Sequence, residues 1–138
     1  MADEAVLKVE TDLPINFTCA SGTTIEKGAI CMMSDVMTAA TSTGDTDIVA
    51  GIAQSEKLAA ETSQTSIAIY RGGIFRGTAG VAGVVFGEPL VTDSTTSGAN
   101  RLVKAAINAE NIVGVCLETA ATGDTFLFEL NPFAATLA

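Results

Sequence analysis

The chain has 138 residues and a formal net charge of −9, with seven Lys and Arg against sixteen Asp and Glu, and no histidine. So few and scattered basic residues argue against a nucleic-acid partner, because phosphate binding draws its affinity from Lys and Arg displacing counterions. The lack of histidine removes the usual general base near neutral pH, and with it most Ser-His and Cys-His nucleophile chemistry. No enzyme activity, cofactor or metal is expected.

The amino end, "MADEAVLKVE", has acids where a secretory signal needs positive charge, and no apolar run approaches the ~20 residues that span a bilayer. A protein made in the cytoplasm, without a membrane partner, is the expectation. Residues 1–12 read as a polar arm and 13–138 as a single β-barrel-like domain.

Period-2 patterns follow. "VLKVET" alternates from Val6. "LPINFTC" puts Leu13, Ile15 and Phe17 on one predicted face, with Pro14 marking an edge or strand entry. Gly22 and Gly28 read as turns before an apolar strand through Ile30 and Met32. "STGDTD" is a turn cluster whose Asp45 and Asp47 form the closest carboxylate pair, expected to face solvent; it lacks the pattern of a dedicated calcium loop. "DIVAGIA" comes next. "SEKLAAET", residues 55–62, is the one segment that favours helix, at barely two turns.

"TSIAIYRGGIF" reads as a strand, a bend at Gly72 and Gly73, and a new strand. The run "GTAGVAGVVFG" leads into Glu88-Pro89 rather than Lys-Ser/Thr, so it reads as turns and close strand packing rather than a phosphate cradle. Cys19, Cys31 and Cys116 are widely spaced in apolar strands, without a C-x-x-C pair, and are expected to be buried free thiols.

The halves repeat one another. "IEKGAICMMSD", "VMTAAT", "DIVAGIA" and "TSIAIY" are answered in order by "VVFGEPLVTDS", "LVKAAI", "NIVGVCL" and "TFLFEL". In this alignment Gly28 answers Gly87, Val36-Met37 answers Leu102-Val103, and Gly51 answers Gly114. A hairpin plus a third strand, used twice over roughly 22–77 and 81–133, is a natural way to build an all-β small barrel or sandwich. Gly51 and Gly114 inside strands mark bends that let the sheet curl, and Gly28 and Gly87 mark structural turns.

The ordered segments "IEKGAIC", "DIVAGIA", "RGGIF", "AGVVFGEPLV", "NIVGVCLE" and "GDTFLFELN" resemble the capsid decoration, or cement, proteins of tailed bacterial and archaeal viruses. The similarity covers roughly residues 22–131. The stretch before Leu13 lies outside the pattern, and "SEKLAAETSQ" lacks the glycine that precedes the next strand in the family.

The resemblance implies a β-barrel on the outer capsid surface, commonly a homotrimer, that bridges copies of the major capsid protein and stabilises the shell. On that expectation Ala2, Asp3, Glu4 and Ala5 of the arm, with Arg71 and Arg76 flanking "GGIF", are the candidate capsid contacts. A tail-associated or receptor-binding module is the alternative, and an enzyme using carboxylates alone is a third class.

Overall fold

In the computed structural model, which describes residues 3–44, 47–93, 100–106 and 110–135, the chain is all β, with no helix among the described residues. The strands are β1 (Val6–Val9), β2 (Ile15–Cys19), β3 (Ile30–Asp35), β4 (Thr38–Thr41), β5 (Val49–Ala53), β6 (Ser66–Tyr70), β7 (Gly73–Ala79), β8 (Pro89–Thr92), β9 (Arg101–Lys104), β10 (Glu110–Cys116) and β11 (Thr125–Ala135).

Two barrels result. Strands β2 to β6 close in the order β2-β4-β3-β5-β6. Strands β7 to β11 close in the matching order, with β11 on one edge of β7 and β9 on the other. Each barrel is sealed by a parallel pair, Thr18 beside Thr38 in the first and Thr78 beside Arg101 in the second, while the remaining ladders are antiparallel. Pairing by pairing, β2 corresponds to β7, β3 to β8, β4 to β9, β5 to β10 and β6 to β11. The recurring unit is therefore a whole five-stranded barrel.

Closing so few strands requires strong local curl. The ladder between β3 and β5 shifts register between Cys31 and Met32, beside Gly51, and that between β10 and β11 shifts between Ile112 and Gly114. Gly51 has φ +146°, and a Cβ there would overlap the Tyr70 carbonyl; a Cβ on Gly114 would overlap the Glu129 carbonyl.

The first barrel encloses small side chains around Phe17, Ile25, Cys31, Ile67 and Ile69, whereas the second is filled by Leu90, Leu102, Phe126 and Phe128. Between them runs a seam that explains the unbroken apolar run of β5. Ala50 and Ala53 pack into the first barrel, while Val49 and Ile52 on the opposite face join the cluster of the second. A strand buried on both faces loses the polar alternation of a half-exposed one.

Three local expectations are corrected. Residues 55–62 are not helical: Lys57 forms an isolated bridge with Ile25, each N–H donating to the other carbonyl at 2.8 Å, and a turn from Leu58 to Glu61 follows. Two turns of helix form too few internal hydrogen bonds to compete with that pairing. Leu13 and Ile15 do not share the buried face of Phe17, for Phe17 and Cys19 point inward and Leu13 and Ile15 are exposed. Val36 and Met37 form the turn joining β3 to β4, with Met37 at φ 47°, so the partner of Arg101-Leu102 is Thr38-Ala39.

Candidate functional site: the arm across the seam

The amino-terminal arm is laid over both barrels. β1 pairs antiparallel with β7, Val6 opposite Arg76 and Leu7 opposite Phe75, so it widens the wall of the second barrel. One residue earlier, the Ala5 N–H donates to the Gly28 carbonyl of the first barrel at 2.9 Å. Polar contacts fasten both ends. The Asp3 carboxylate accepts from Arg101 Nε at 2.7 Å, and the Glu10 carboxylate accepts from the Tyr70 hydroxyl at 2.9 Å.

Glycines make the close approach possible. Gly28 sits at φ +85°, and a Cβ there would run into the Ala5 carbonyl; Gly73, at φ +121°, lies under Leu7 and Val9. Alongside the arm lies a groove of about 450 Å³ whose walls include Glu4, Lys27, Gln54, Ile52, Tyr70 and Phe75. Tyr70 and Phe75 meet edge to face at its base, with ring centroids 5.8 Å apart. Across the seam, the Asn100 side-chain oxygen accepts from the Ile30 N–H at 3.0 Å.

The titratable groups are tuned by burial and by one another. Burial, then a hydrogen bond to Glu26, raises Glu4 above the ordinary carboxylate value, and the same bond lowers Glu26. A hydrogen bond between two carboxyls needs one of them protonated, so this contact between arm and barrel depends on pH. Burial, followed by the Glu10 hydrogen bond, raises Tyr70. Burial pushes Cys31 up to about 12 and also raises Cys19 and Cys116, so all three free thiols are buried and held protonated. A protonated buried thiol is a poor nucleophile.

The residues singled out in the sequence fall as follows. Ala2 lies outside the described residues, as does Asp45. Asp3 pairs with Arg101, Glu4 faces Glu26, and Ala5 is buried against Gly28. Arg71 donates to the Val49 and Ala50 carbonyls at 3.4 and 2.8 Å. Arg76 pairs with Glu118 at 3.2 Å, both side chains partly exposed. These arginines therefore have partners within the chain. Asp47 accepts from the Thr43 and Gly44 backbone and from the Ser42 and Thr43 hydroxyls, which makes it the organiser of its turn. Among the described residues, no three Cys, Asp or Glu side chains are grouped so that they could hold a metal ion.

Sequence reasoning missed Tyr70, Phe75 and Glu26 as seam residues, and also Lys57. The only signal was the single tyrosine of the chain closing an otherwise aliphatic strand. Lys57 is 0% exposed, its amino group donating to the Ser21 and Thr23 carbonyls at 2.9 and 2.8 Å.

What the arrangement can do is hold surfaces together. Comparison with solved structures finds the head fiber gp8.5 N base of bacteriophage phi29, at TM-score 0.57 and 15% identity, over 86% of this chain and 94% of that one. The likeness is one of fold. It spans nearly the whole of both chains, so it includes both barrels rather than one small motif. No protein-family model and no curated protein matches the sequence.

Proposed function

We propose that this chain is a structural virion protein that sits on the outside of a viral capsid as a homo-oligomer, a trimer on the family resemblance, and stabilises the shell by bridging copies of the major capsid protein. The observation that carries the reading is the match over 86% of the chain to a phage head fiber base, reached independently of the sequence resemblance to capsid decoration proteins. The chemistry of the chain is in keeping with it, since the groups brought together at the seam bind one another and its thiols are held protonated. A protein that binds only the assembled lattice stabilises that lattice by mass action, and several contacts from one oligomer multiply through effective concentration.

Quantitative mass spectrometry of purified particles tests this. A copy number comparable to that of the major shell protein, lost on a mildly destabilising wash that also weakens the particles, is the expected result. A few copies per particle would favour the tail-associated module, and absence from particles would overturn the proposal.

A further inference from the structure

The two barrels match strand for strand, yet their equivalent surfaces are not equally covered. At the seam the first barrel offers its Gly28 corner and the second offers the outer edge of β7, and the arm lies on both. Each of those surfaces has a counterpart that is left exposed among the described residues.

The counterpart of the Gly28 corner is Gly87, at φ +88°, whose N–H bonds the Cys116 carbonyl as that of Gly28 bonds the Ala53 carbonyl. A Cβ on Gly28 would strike the arm, whereas one on Gly87 has nothing within 4 Å. Where the first barrel carries Glu26, Lys27 and Gln54 beside this corner, the second carries Val85, Phe86 and Leu117, all exposed, Phe86 by 68%. The counterpart of the β7 edge is the start of β2. Phe75, packed at the seam, is 1% exposed; its equivalent Ile15 is 45% exposed, and the neighbouring Leu13 is 77% exposed. The equivalent of Asn100, which bonds across the seam, is the exposed Met37.

We propose that copies of this chain join head to tail, the Val85–Phe86–Leu117 corner of one second barrel seating on the Leu13–Ile15–Met37 edge of the next copy's first barrel. The contact between chains repeats the one that the two barrels make within a chain. Both faces are apolar and each is the unfilled equivalent of a filled one, which is why the occupant is a second copy. Pro89 stands where Ile30 donates its N–H, so the repeated contact lacks that hydrogen bond and is the more apolar of the two. A head-to-tail contact closes into a ring where its rotation closes and runs on as a filament where it does not; the trimer of the proposed function is the closed case.

This inference deepens the self-association included in the proposed function by naming its faces, and it is tested on the purified protein without particles. Sedimentation of the full chain is expected to show a closed oligomer. Phe86→Asp and Leu13→Asp, both at exposed positions, should leave melting unchanged and weaken association roughly a hundredfold each. An equimolar mixture of the two variants retains one intact corner and one intact edge, so it should form a dimer and nothing larger. A monomeric wild type, variants that assemble as wild type does, or a mixture that stays monomeric would each overturn the inference. Particles lacking a chain that still assembles in this way would overturn only the virion role.

Discussion

Gly28 and Gly87 hold the same place in two equivalent barrels at φ +85° and +88°, and only Gly28 lies beneath another segment, the Ala5 backbone. Alanine at Gly87 meets backbone strain alone and should cost about 1–2 kcal/mol. Alanine at Gly28 meets that strain and also displaces the arm, for an expected total of about 2–4 kcal/mol. Denaturant titration of both variants, with exchange of the Ala5 amide as a local readout, checks the difference. Equal losses with the Ala5 amide still protected would mean that a side chain at Gly28 does not displace the arm.

The arm also changes how a truncation should be read. Ala5 is buried, and Leu7 packs at the seam next to Phe75. Deleting residues 2–10 is therefore expected to lower the melting temperature by several degrees, about what ~1–2 kcal/mol produces in a domain of this size. Any loss of particle binding by the deletion must be compared with a variant such as Gly28→Ala that loosens the arm while keeping its side chains.

The all-β class and the repetition could be read from the sequence because period-2 alternation and glycine at special backbone positions are local constraints. Gly51 and Gly114 lie beside register shifts against which a side chain would collide with the next strand, and no other residue type fits there. That each half closes on itself depends on the parallel pairs Thr18 with Thr38 and Thr78 with Arg101, contacts between distant strands that leave no local pattern. The exposure of Leu13 and Ile15 was hidden for a different reason. Alternation identifies a face but cannot say where along a strand burial ends. Lys57 is missed because reading residues 55–62 as helix gives no sign that its lysine is buried in a bridge to Ile25.

Gly51→Ala and Gly114→Ala follow from the same geometry. Each places a methyl group on a backbone carbonyl of the neighbouring strand, which cannot rotate away as a side chain could. A loss above roughly 3 kcal/mol in each is expected from overpacking against backbone, to which Gly51, at φ +146°, adds backbone strain. Thermal melts against Gly22→Ala, whose Cβ meets nothing within 4 Å, supply the control. Losses no larger than in the control would remove the proposed role of these glycines in closing the barrels.

Lys57→Met keeps the shape of the buried side chain and removes the donors to Ser21 and Thr23. Two part-buried carbonyls of the loop that follows β2 are then left without that partner, at about 1–3 kcal/mol. The equivalent bridge in the second barrel joins Val84 to Ala120, with no long side chain beneath it. Ala120→Ser should accordingly be nearly silent in the same denaturant titration, and a silent Lys57→Met would show that water replaces the amino group.

Cys31 predicts an alkaline limit to stability. Its folded value of about 12 exceeds the ordinary 9.0, so above pH 9 the unfolded chain releases a proton that the native state keeps. The contribution is fully present below pH 9 and is lost as pH rises towards 12, by up to about 3–4 kcal/mol. Cys31→Ala should flatten the fall of stability between pH 9 and pH 11 by the equivalent of one proton. An unchanged slope would place the alkaline loss on Tyr70 and the other thiols, which are shifted in the same direction.

The carboxyl pair joining arm to barrel makes arm docking depend on pH in both directions. Glu4 is raised, so its contribution is fully present below its ordinary 4.5 and is lost as pH rises through its folded value. Glu26 is lowered, so its contribution is present above 4.5 and is lost as pH falls through its folded value. Docking is therefore tightest between the two folded values, where Glu4 donates a shared proton to a Glu26 carboxylate. Protection of the Ala5 amide, corrected for intrinsic exchange, should pass through a maximum in that window. Glu4→Gln keeps a donor towards Glu26 and cannot ionise, so it should hold protection high on the alkaline side. The same variant showing the wild-type decline there would exclude Glu4 as the group that loosens the arm.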